Sequence, residues 1–255
     1  MDVYRHFARV YDAFMDGIPY GQWAGYIDEI LRCHGLSQGS LILDLGCGTG
    51  TMALLMAQKG YEVIGVDASE DMLSEAYAKM QEKGLQILLL NQDIQKLDLY
   101  GTVDAAYSTC DVINYILTEE GFAKLLKNVA LYLNMGGVFI FDLKTDSKYR
   151  QLGSNTYRDS VGEVSYVWEN HYDTSTCINE YRCQFTVKNE GIFTEFHSQR
   201  AYSTETVAAL AQQAGLQVIS IFSYDMDMPV TPESERVTYV LLKCERSELQ
   251  LLSSV

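Results

Sequence analysis

Apolar residues recur along this chain at two spacings, and the change of spacing divides it into parts. Phe7, Val10, Tyr11 and Phe14 stand at i, i+3, i+4 and i+7, and so do Trp23, Tyr26, Ile27 and Ile30. Each set would line one face of an amphipathic helix, and Gly17-Ile18-Pro19 breaks the two apart. Short apolar runs then alternate with helical spacing. Runs at 41–45, 61–66, 85–90, 103–107 and 138–143 read as strands, of the kind buried on both faces. Helices are expected near 51–59, from a Ser69 cap to Gly84 with Leu73, Ala76, Tyr77 and Met80 inward, and over about 118–133. Such βα alternation predicts a parallel sheet covered on both sides.

From about 163 to 201 the period becomes two. Tyr181, Cys183, Phe185 and Val187 alternate with Glu180, Arg182, Gln184, Thr186 and Lys188, and turn residues fall at 173–176 and 189–191. We read three antiparallel strands, apolar on one face and wet on the other, within an insertion at 150–202. The apolar face needs cover, and the edge of the parallel sheet's cleft can supply it. A helix capped by Ser203 or Thr204 and ended by Gly215 follows, then strands at 216–222 and 236–244. The last ten or so residues form a weak helix or a frayed tail. The expected architecture is one α/β domain over 1–255, doubly wound, with seven strands in its main sheet and an N-terminal helical cap at 1–36.

Composition narrows the function. No apolar run approaches the roughly 20 residues that span a bilayer, and the N-terminus lacks a signal-peptide layout, so a cytoplasmic location is expected. The six cysteines (Cys33, Cys47, Cys110, Cys177, Cys183, Cys244) lack metal-ligand spacing and read as small core residues, and no metal site is expected. Nineteen Lys and Arg face 34 Asp and Glu, for a net charge of −15. Long phosphate backbones are bound mainly through Lys and Arg, so nucleic acid is disfavoured as a partner. A small cationic ligand suits the field, although acidity can serve solubility alone.

Leu43-Asp44-Leu45-Gly46-Cys47-Gly48-Thr49-Gly50 falls between a predicted strand and a predicted helix, the context in which a glycine-rich turn carries meaning. Glycines let the backbone turn sharply and admit a ligand without meeting a Cβ. Asp67 closes the next strand, 17 residues beyond Gly50, where an acid can accept both ribose hydroxyls. A nucleoside cofactor follows. The dinucleotide fingerprint would want a third glycine where Thr51 stands. Asp44 discriminates further: beside a pyrophosphate it would cost about a kcal/mol or more, whereas an ammonium group would be attracted. S-adenosyl-L-methionine carries such a group together with a sulfonium.

Through Asp44–Gly50, Gly65-Val66-Asp67-Ala68-Ser69, Asn91-Gln92-Asp93-Ile94 and Gly136-Gly137-Val138-Phe139, the chain resembles the class I S-adenosylmethionine-dependent methyltransferases over about residues 40–145. The resemblance implies a mostly parallel seven-stranded sheet with an antiparallel last strand. It also implies that Asp44, Gly46 and Gly48 hold the methionyl part, Asp67 the ribose, Ala68 and Met72 the adenine flank, and Asp93 and Ile94 the adenine edge. Cys110 and Asp111 would approach the sulfonium and the acceptor. Phe7-Ala8-Arg9-Val10-Tyr11-Asp12 is similar to the aromatic segment that caps the cofactor in small-molecule members, and the insertion to their substrate covers. Met72 and Tyr11 serve equally well as packing residues.

A methyl group moving from a sulfonium undergoes in-line displacement, helped chiefly by positioning. A base matters when the acceptor is a hydroxyl or a cationic amine, and Asp111, His171 and His197 are candidates, with Tyr11 beside the reacting centre. The expected activity is methyl transfer to a small-molecule N or O acceptor. Methylation of RNA or protein, nucleoside binding without turnover, and an NAD-dependent oxidoreductase are the alternatives.

Overall fold

The computed structural model describes residues 8, 11, 12, 15, 17–161, 164–187, 191–223 and 228–244. Helix α1 (Tyr20–Cys33) buries Trp23, Ala24, Ile27 and Leu31, matching the second N-terminal stripe. Phe7, Val10 and Phe14 of the first stripe lie outside the described residues, as do the turn residues Asn189 and Glu190 and the tail beyond Cys244.

The alternating part follows as β1 (Leu41–Leu45), α2 (Thr51–Gln58), β2 (Glu62–Asp67), α3 (Glu70–Lys83), β3 (Leu88–Asn91), β4 (Val103–Ser108), α4 (Glu119–Tyr132) and β5 (Leu133–Lys144). After the insertion come α6 (Thr204–Ala214), β10 (Leu216–Ser223) and β11 (Arg236–Lys243). The seven strands lie in the order β10-β11-β5-β4-β1-β2-β3. β1 pairs in parallel with both β2 and β4. The chain therefore winds outward to β3 on one side and restarts on the other. That reversal leaves a crevice beyond the carboxyl ends of β1 and β4, the place where open α/β sheets take ligands. β11 runs antiparallel to β5 and to β10, as the resemblance implied for the last strand.

Two apolar layers sandwich the sheet. One joins Phe122, Leu125 and Leu126 of α4 and Val207 of α6 to Phe139, Phe141 and Tyr239. The other joins Trp23, Ile27 and Leu31 of α1 and Met52 and Met56 of α2 to Ile42 and Ile140. Each such fully buried side chain contributes about 1.5–3 kcal/mol. Helix ends obey local chemistry: Ser69, Thr118 and Ser203 side chains accept N–H bonds from Met72, Gly121 and Thr206. Gly84 and Gly215 take left-handed conformations at helix ends.

The insertion departs from the sequence expectation. It holds a short helix α5 (Asp146–Leu152) and four antiparallel strands rather than three: β6 (Thr156–Val161), β7 (Val164–Asp173), β8 (Ile178–Val187) and β9 (Gly191–Arg200). β6 pairs only with β7, and its residues 156–160 are exposed. An edge strand wet on both faces has no reason to alternate apolar and polar side chains, so no period-two signal marks it. β3 is also shorter than expected, and β5 begins five residues before the expected 138, running through Gly136 and Gly137. A Cβ at Gly137 would lie 2.7 Å from the Asp104 carbonyl oxygen, so only glycine allows that pairing.

Candidate active site

β1 delivers the chain to the turn Gly46-Cys47-Gly48-Thr49-Gly50, where Gly46, Gly48 and Gly50 have φ of +76°, +53° and +77°. Those angles favour glycine. A Cβ at Gly46 would collide with the Val112 side chain, whereas one at Gly48 would meet nothing within 4 Å. Glycine at 46 thus lets the segment after β4 close on the turn, and Gly48 leaves backbone open to the cleft. Asp67 fastens the same turn: its carboxylate accepts N–H bonds from Gly48 at 2.8 Å and from Ser69 at 2.9 Å. Each carboxylate oxygen can accept more than one bond, so capacity remains for hydroxyl donors.

Asp44 is 1% exposed and accepts a hydrogen bond from the Tyr107 hydroxyl at 3.0 Å. Burial raises its pKa to about 7, with the nearby Asp67 charge adding to the rise and the Tyr107 bond opposing it. A carboxylate so desolvated gains most from a cation brought to it. The N-terminal segment closes this side: Thr49 donates to Asp12 at 2.6 Å, and Lys79 pairs with the same carboxylate at 2.5 Å. Tyr20 bridges Cys110, whose thiol lies 3.5 Å from its hydroxyl, and Tyr11, and burial pushes its phenol far up.

Beyond β4, Cys110 and Asp111 take successive left-handed conformations, φ +63° and +55°. Non-glycine residues hold such angles only where their surroundings fix them, and the fixing groups are visible. The Asp111 N–H donates to Asp142 at 3.0 Å, and its carboxylate meets Arg236 at 2.7 Å, Lys144 at 2.9 Å and Gln199 at 2.7 Å. Arg236 also pairs with Asp142 and stands over the Trp23 ring. Despite burial, Lys144 and Arg236 hold the Asp111 pKa down to about 2. The pair of kinked residues throws the 3-10 turn Val112–Tyr115 back over the cleft, where the buried Asn114 amide secures it by donating to the Lys144 and Arg200 carbonyls.

Two cavities result. The first, about 560 Å³ of empty space, lies against the glycine turn and is lined by Asp44, Gly46, Gly48, Asp67, Met72 and their neighbours. The second, about 750 Å³, lies between the 110–115 segment and the apolar face of the insertion sheet, whose Tyr166, Trp168, Tyr181, Cys183, Phe185 and His197 line it. Tyr11, Cys110 and Tyr115 line both. The antiparallel sheet therefore lays its apolar face over the cleft, as its alternation demanded.

Of the residues singled out from sequence, Tyr11, Asp44, Gly46, Gly48, Asp67, Met72 and Cys110 meet in the first cavity. Ala68 adjoins Asp67, and Asp93 caps the 3-10 turn Ile94–Lys96 after β3, accepting from the Gln95 N–H at 2.9 Å. Asp93 and Ile94 thus stand beyond the first cavity's lining, at the neighbouring strand end. Two of the catalytic candidates take up contrasting places. His171 lies on the exposed face of β7, opposite Tyr166 and Trp168, with Ser154 as its partner at 3.1 Å. Side chains alternate across a strand, so its odd position turns it from the cavity. Asp111 lines the acceptor-side cavity, but its oxygens are held by two cations and an amide, and a carboxylate titrating near 2 is a poor proton acceptor at neutral pH. Thr49, inside the glycine turn, and Thr51, at the start of α2, could have been named from that motif. Tyr20, Tyr115, Lys144, Gln199 and Arg236 carry no local signal, since only the fold brings them in.

A doubly wound sheet with a glycine-rich turn at its strand ends, a buried acid beside that turn and a second cavity under a cover sheet is an arrangement suited to an enzyme that brings two ligands together. Residues 42–137 match the family described as a methyltransferase domain. The Bacillus subtilis (strain 168) protein YqeM, which bears the name of a methyltransferase, is 31% identical over 242 residues, covering 93% of this chain and 96% of its own. The crystal structure of an S-adenosylmethionine-dependent methyltransferase from Clostridium acetobutylicum ATCC 824 superposes with a TM-score of 0.86 at 31% identity, covering 95% of this chain and 99% of that one. A dTDP-3-amino-3,4,6-trideoxy-alpha-D-glucopyranose N,N-dimethyltransferase of Streptomyces venezuelae is 28% identical over 137 residues, 53% of this chain and 56% of that protein. The chain belongs to the S-adenosylmethionine-dependent methyltransferase family, and its cofactor is S-adenosyl-L-methionine. No helix among the described residues is long and apolar enough to cross a membrane.

Proposed function

We propose that this enzyme methylates a small-molecule N or O acceptor held in the cavity beneath the insertion sheet. The observation that carries the reading is that Tyr11, Cys110 and Tyr115 line both cavities. The first accommodates the donor and the second, covered by a sheet, encloses a modest ligand. The net charge of −15 disfavours an RNA acceptor, and the Streptomyces relative bears the name of a sugar N-methylating enzyme.

The residues of the first cavity and of the neighbouring strand end fit the donor. Asp44 offers a buried carboxylate to its ammonium, and Gly46 and Gly48 offer backbone to its methionyl part. Asp67 offers acceptor oxygens to its ribose, with Ala68 and Met72 along the adenine and Asp93 and Ile94 at its edge. Tyr11 closes over it, and Cys110 stands toward the acceptor. When bound, the donor supplies an electrophilic methyl on a sulfonium. The chain's own part is to align that methyl with the acceptor and to exclude water, which in well-oriented systems is worth about 7–11 kcal/mol.

Calorimetry with paired ligands tests the donor assignment. Asp44→Asn should weaken S-adenosylhomocysteine, which keeps the amino-acid tail, by about 10–100-fold, the worth of a charge-assisted bond. Methylthioadenosine, which lacks the tail, should bind the variant and the natural enzyme alike. Equal losses for both ligands would refute the pairing of Asp44 with the ammonium. For the acceptor, tritium from the labelled donor should enter the small-molecule fraction of a cell extract. Label confined to the protein or RNA fraction would overturn the small-molecule reading.

A further inference from the structure

His197 stands on β9 opposite Tyr181 of β8. Its ring stacks on Tyr181 with centroids 4.6 Å apart, and Tyr181 stacks in turn on Trp168 at 4.5 Å. Both imidazole nitrogens are engaged: Nε2 lies 3.2 Å from a Glu195 carboxylate oxygen and Nδ1 lies 3.1 Å from the Tyr115 hydroxyl. The Tyr115 and Tyr181 hydroxyls are 2.6 Å apart. A carboxylate only accepts, so Nε2 carries the proton, and in the neutral ring Nδ1 is then the acceptor. Tyr115 therefore donates to Nδ1, and Tyr181 donates to the Tyr115 oxygen. For the neutral ring that order runs from Tyr181 through Tyr115 and His197 to Glu195.

Two further observations give this order a use. The His197 and Glu195 side chains are only 3% and 9% exposed, and burying such a pair costs desolvation that a cover sheet built from apolar side chains would avoid. Tyr115, one of the three residues that line both cavities, is the member of this chain that reaches the donor side. Other titratable groups lining this cavity among the described residues are Tyr166 on β7, Tyr181 and Cys183 on β8, Tyr11, Cys110 and, across it, Lys144 and Asp111, which pair with one another.

We propose that Tyr115, backed by His197 and Glu195, takes the proton that a protic acceptor loses during methyl transfer. This rests on the reading that the second cavity holds the acceptor. The proton leaves the acceptor's N–H or O–H for the Tyr115 oxygen while the Tyr115 proton moves to His197 Nδ1. The electron pair left on nitrogen or oxygen forms the new bond to the methyl carbon. The sulfur–methyl bond breaks with its pair retained by sulfur. The methylated acceptor, S-adenosylhomocysteine and an imidazolium paired with Glu195 remain, and the imidazolium returns its proton to solvent as products leave. Tyr115 is the catalytic residue of the set, and His197 and Glu195 position and tune it.

The test uses the whole enzyme and the acceptor found by label transfer, with mass spectrometry of the product assigning the methyl to nitrogen or oxygen. His197→Gln should lower kcat by about 10²-fold or more, remove the acid limb of the kcat–pH profile, and leave S-adenosylhomocysteine affinity within about twofold. Glu195→Gln removes the carboxylate beside Nε2, so its kcat–pH profile should differ from that of the natural enzyme on the acid side. Tyr115→Phe should lose kcat comparably. An unchanged acid limb in His197→Gln, or full kcat in Tyr115→Phe, overturns the relay.

A second arm needs no acceptor. In nitrogen-15 histidine-labelled enzyme with S-adenosylhomocysteine bound, the four histidines are assignable by single substitution. His197 should show the Nε2–H tautomer, with an Nδ1 resonance that shifts in Tyr115→Phe. The Nδ1–H tautomer overturns the relay whatever the acceptor. Failure of the natural enzyme to bind the donor, or label found only on macromolecules, would instead count against the proposed function and be visible as such.

Discussion

Two buried aspartates show how the same side chain is tuned in opposite directions. Asp111 sits among cations and is held near 2, whereas Asp44, which meets no cation among the described residues, is raised to about 7. The consequence for stability follows from linkage. An aspartate whose folded pKa exceeds its unfolded value stabilises the fold when protonated, and that contribution is lost as pH rises from about 4 through 7. Asp44→Asn should therefore melt above the natural enzyme at pH 8, by on the order of 2–4 kcal/mol, with the difference closing by pH 4. Thermal melts across that range check it; a variant that is less stable at pH 8 would contradict the burial argument. The same substitution weakens the donor, so the site sacrifices stability for a charge it needs. The acid's place before the glycine turn was legible in the sequence, because motif and spacing are local. Its raised pKa was not, because burial and the Tyr107 bond come from neighbouring strands.

Among elements, the 3-10 turn Val112–Tyr115 does the most with the fewest residues. Asn114, 0% exposed, donates to the carbonyls of Lys144 and Arg200 and accepts from the Lys144 N–H at 2.9 Å. One side chain thereby ties the turn to the ends of β5 and β9, the last strand of the main sheet before the insertion and the last strand within it. Asn114→Ala leaves buried backbone groups without these partners and should cost about 2–4 kcal/mol. Urea titration should show a lower midpoint at an unchanged slope, and turnover should fall because Tyr115 loses its seat. The strands β7, β8 and β9 were legible from alternation, since one face meets the cavity and the other water. β6 was not, because both its faces are wet, and neither was the hinge at Cys110 and Asp111, whose left-handed angles no propensity favours.

At the scale of the molecule, Arg236 decides how the parts hold together. It starts β11 and reaches Asp111 after β4 and Asp142 in β5, residues 125 and 94 positions away in sequence. Removing one partner of such a buried cluster typically costs about 3–5 kcal/mol, because the remaining charges are left uncompensated. Arg236→Gln should show a loss of that order near neutral pH. Asp111 is depressed in the folded state, so its contribution is present above about pH 4 and fades as pH falls toward 2. The gap between variant and natural enzyme should narrow over that window, and acid titrations followed by circular dichroism measure it. A constant gap would mean that the arginine acts through packing on Trp23 instead.

By itself the sequence determined the βα alternation, the caps, the glycine turn, the acid at each of the first two strand ends and the amphipathic insertion. All of these follow from interactions among residues a few positions apart, so periodicity and turn chemistry record them directly. Only the tertiary structure decided that Arg236 pairs with Asp111, that His171 faces water while His197 faces the cavity, and that Tyr115 lines both cavities. Those outcomes depend on strand order and register, which bring together residues tens to more than a hundred positions apart, and no local pattern carries that information.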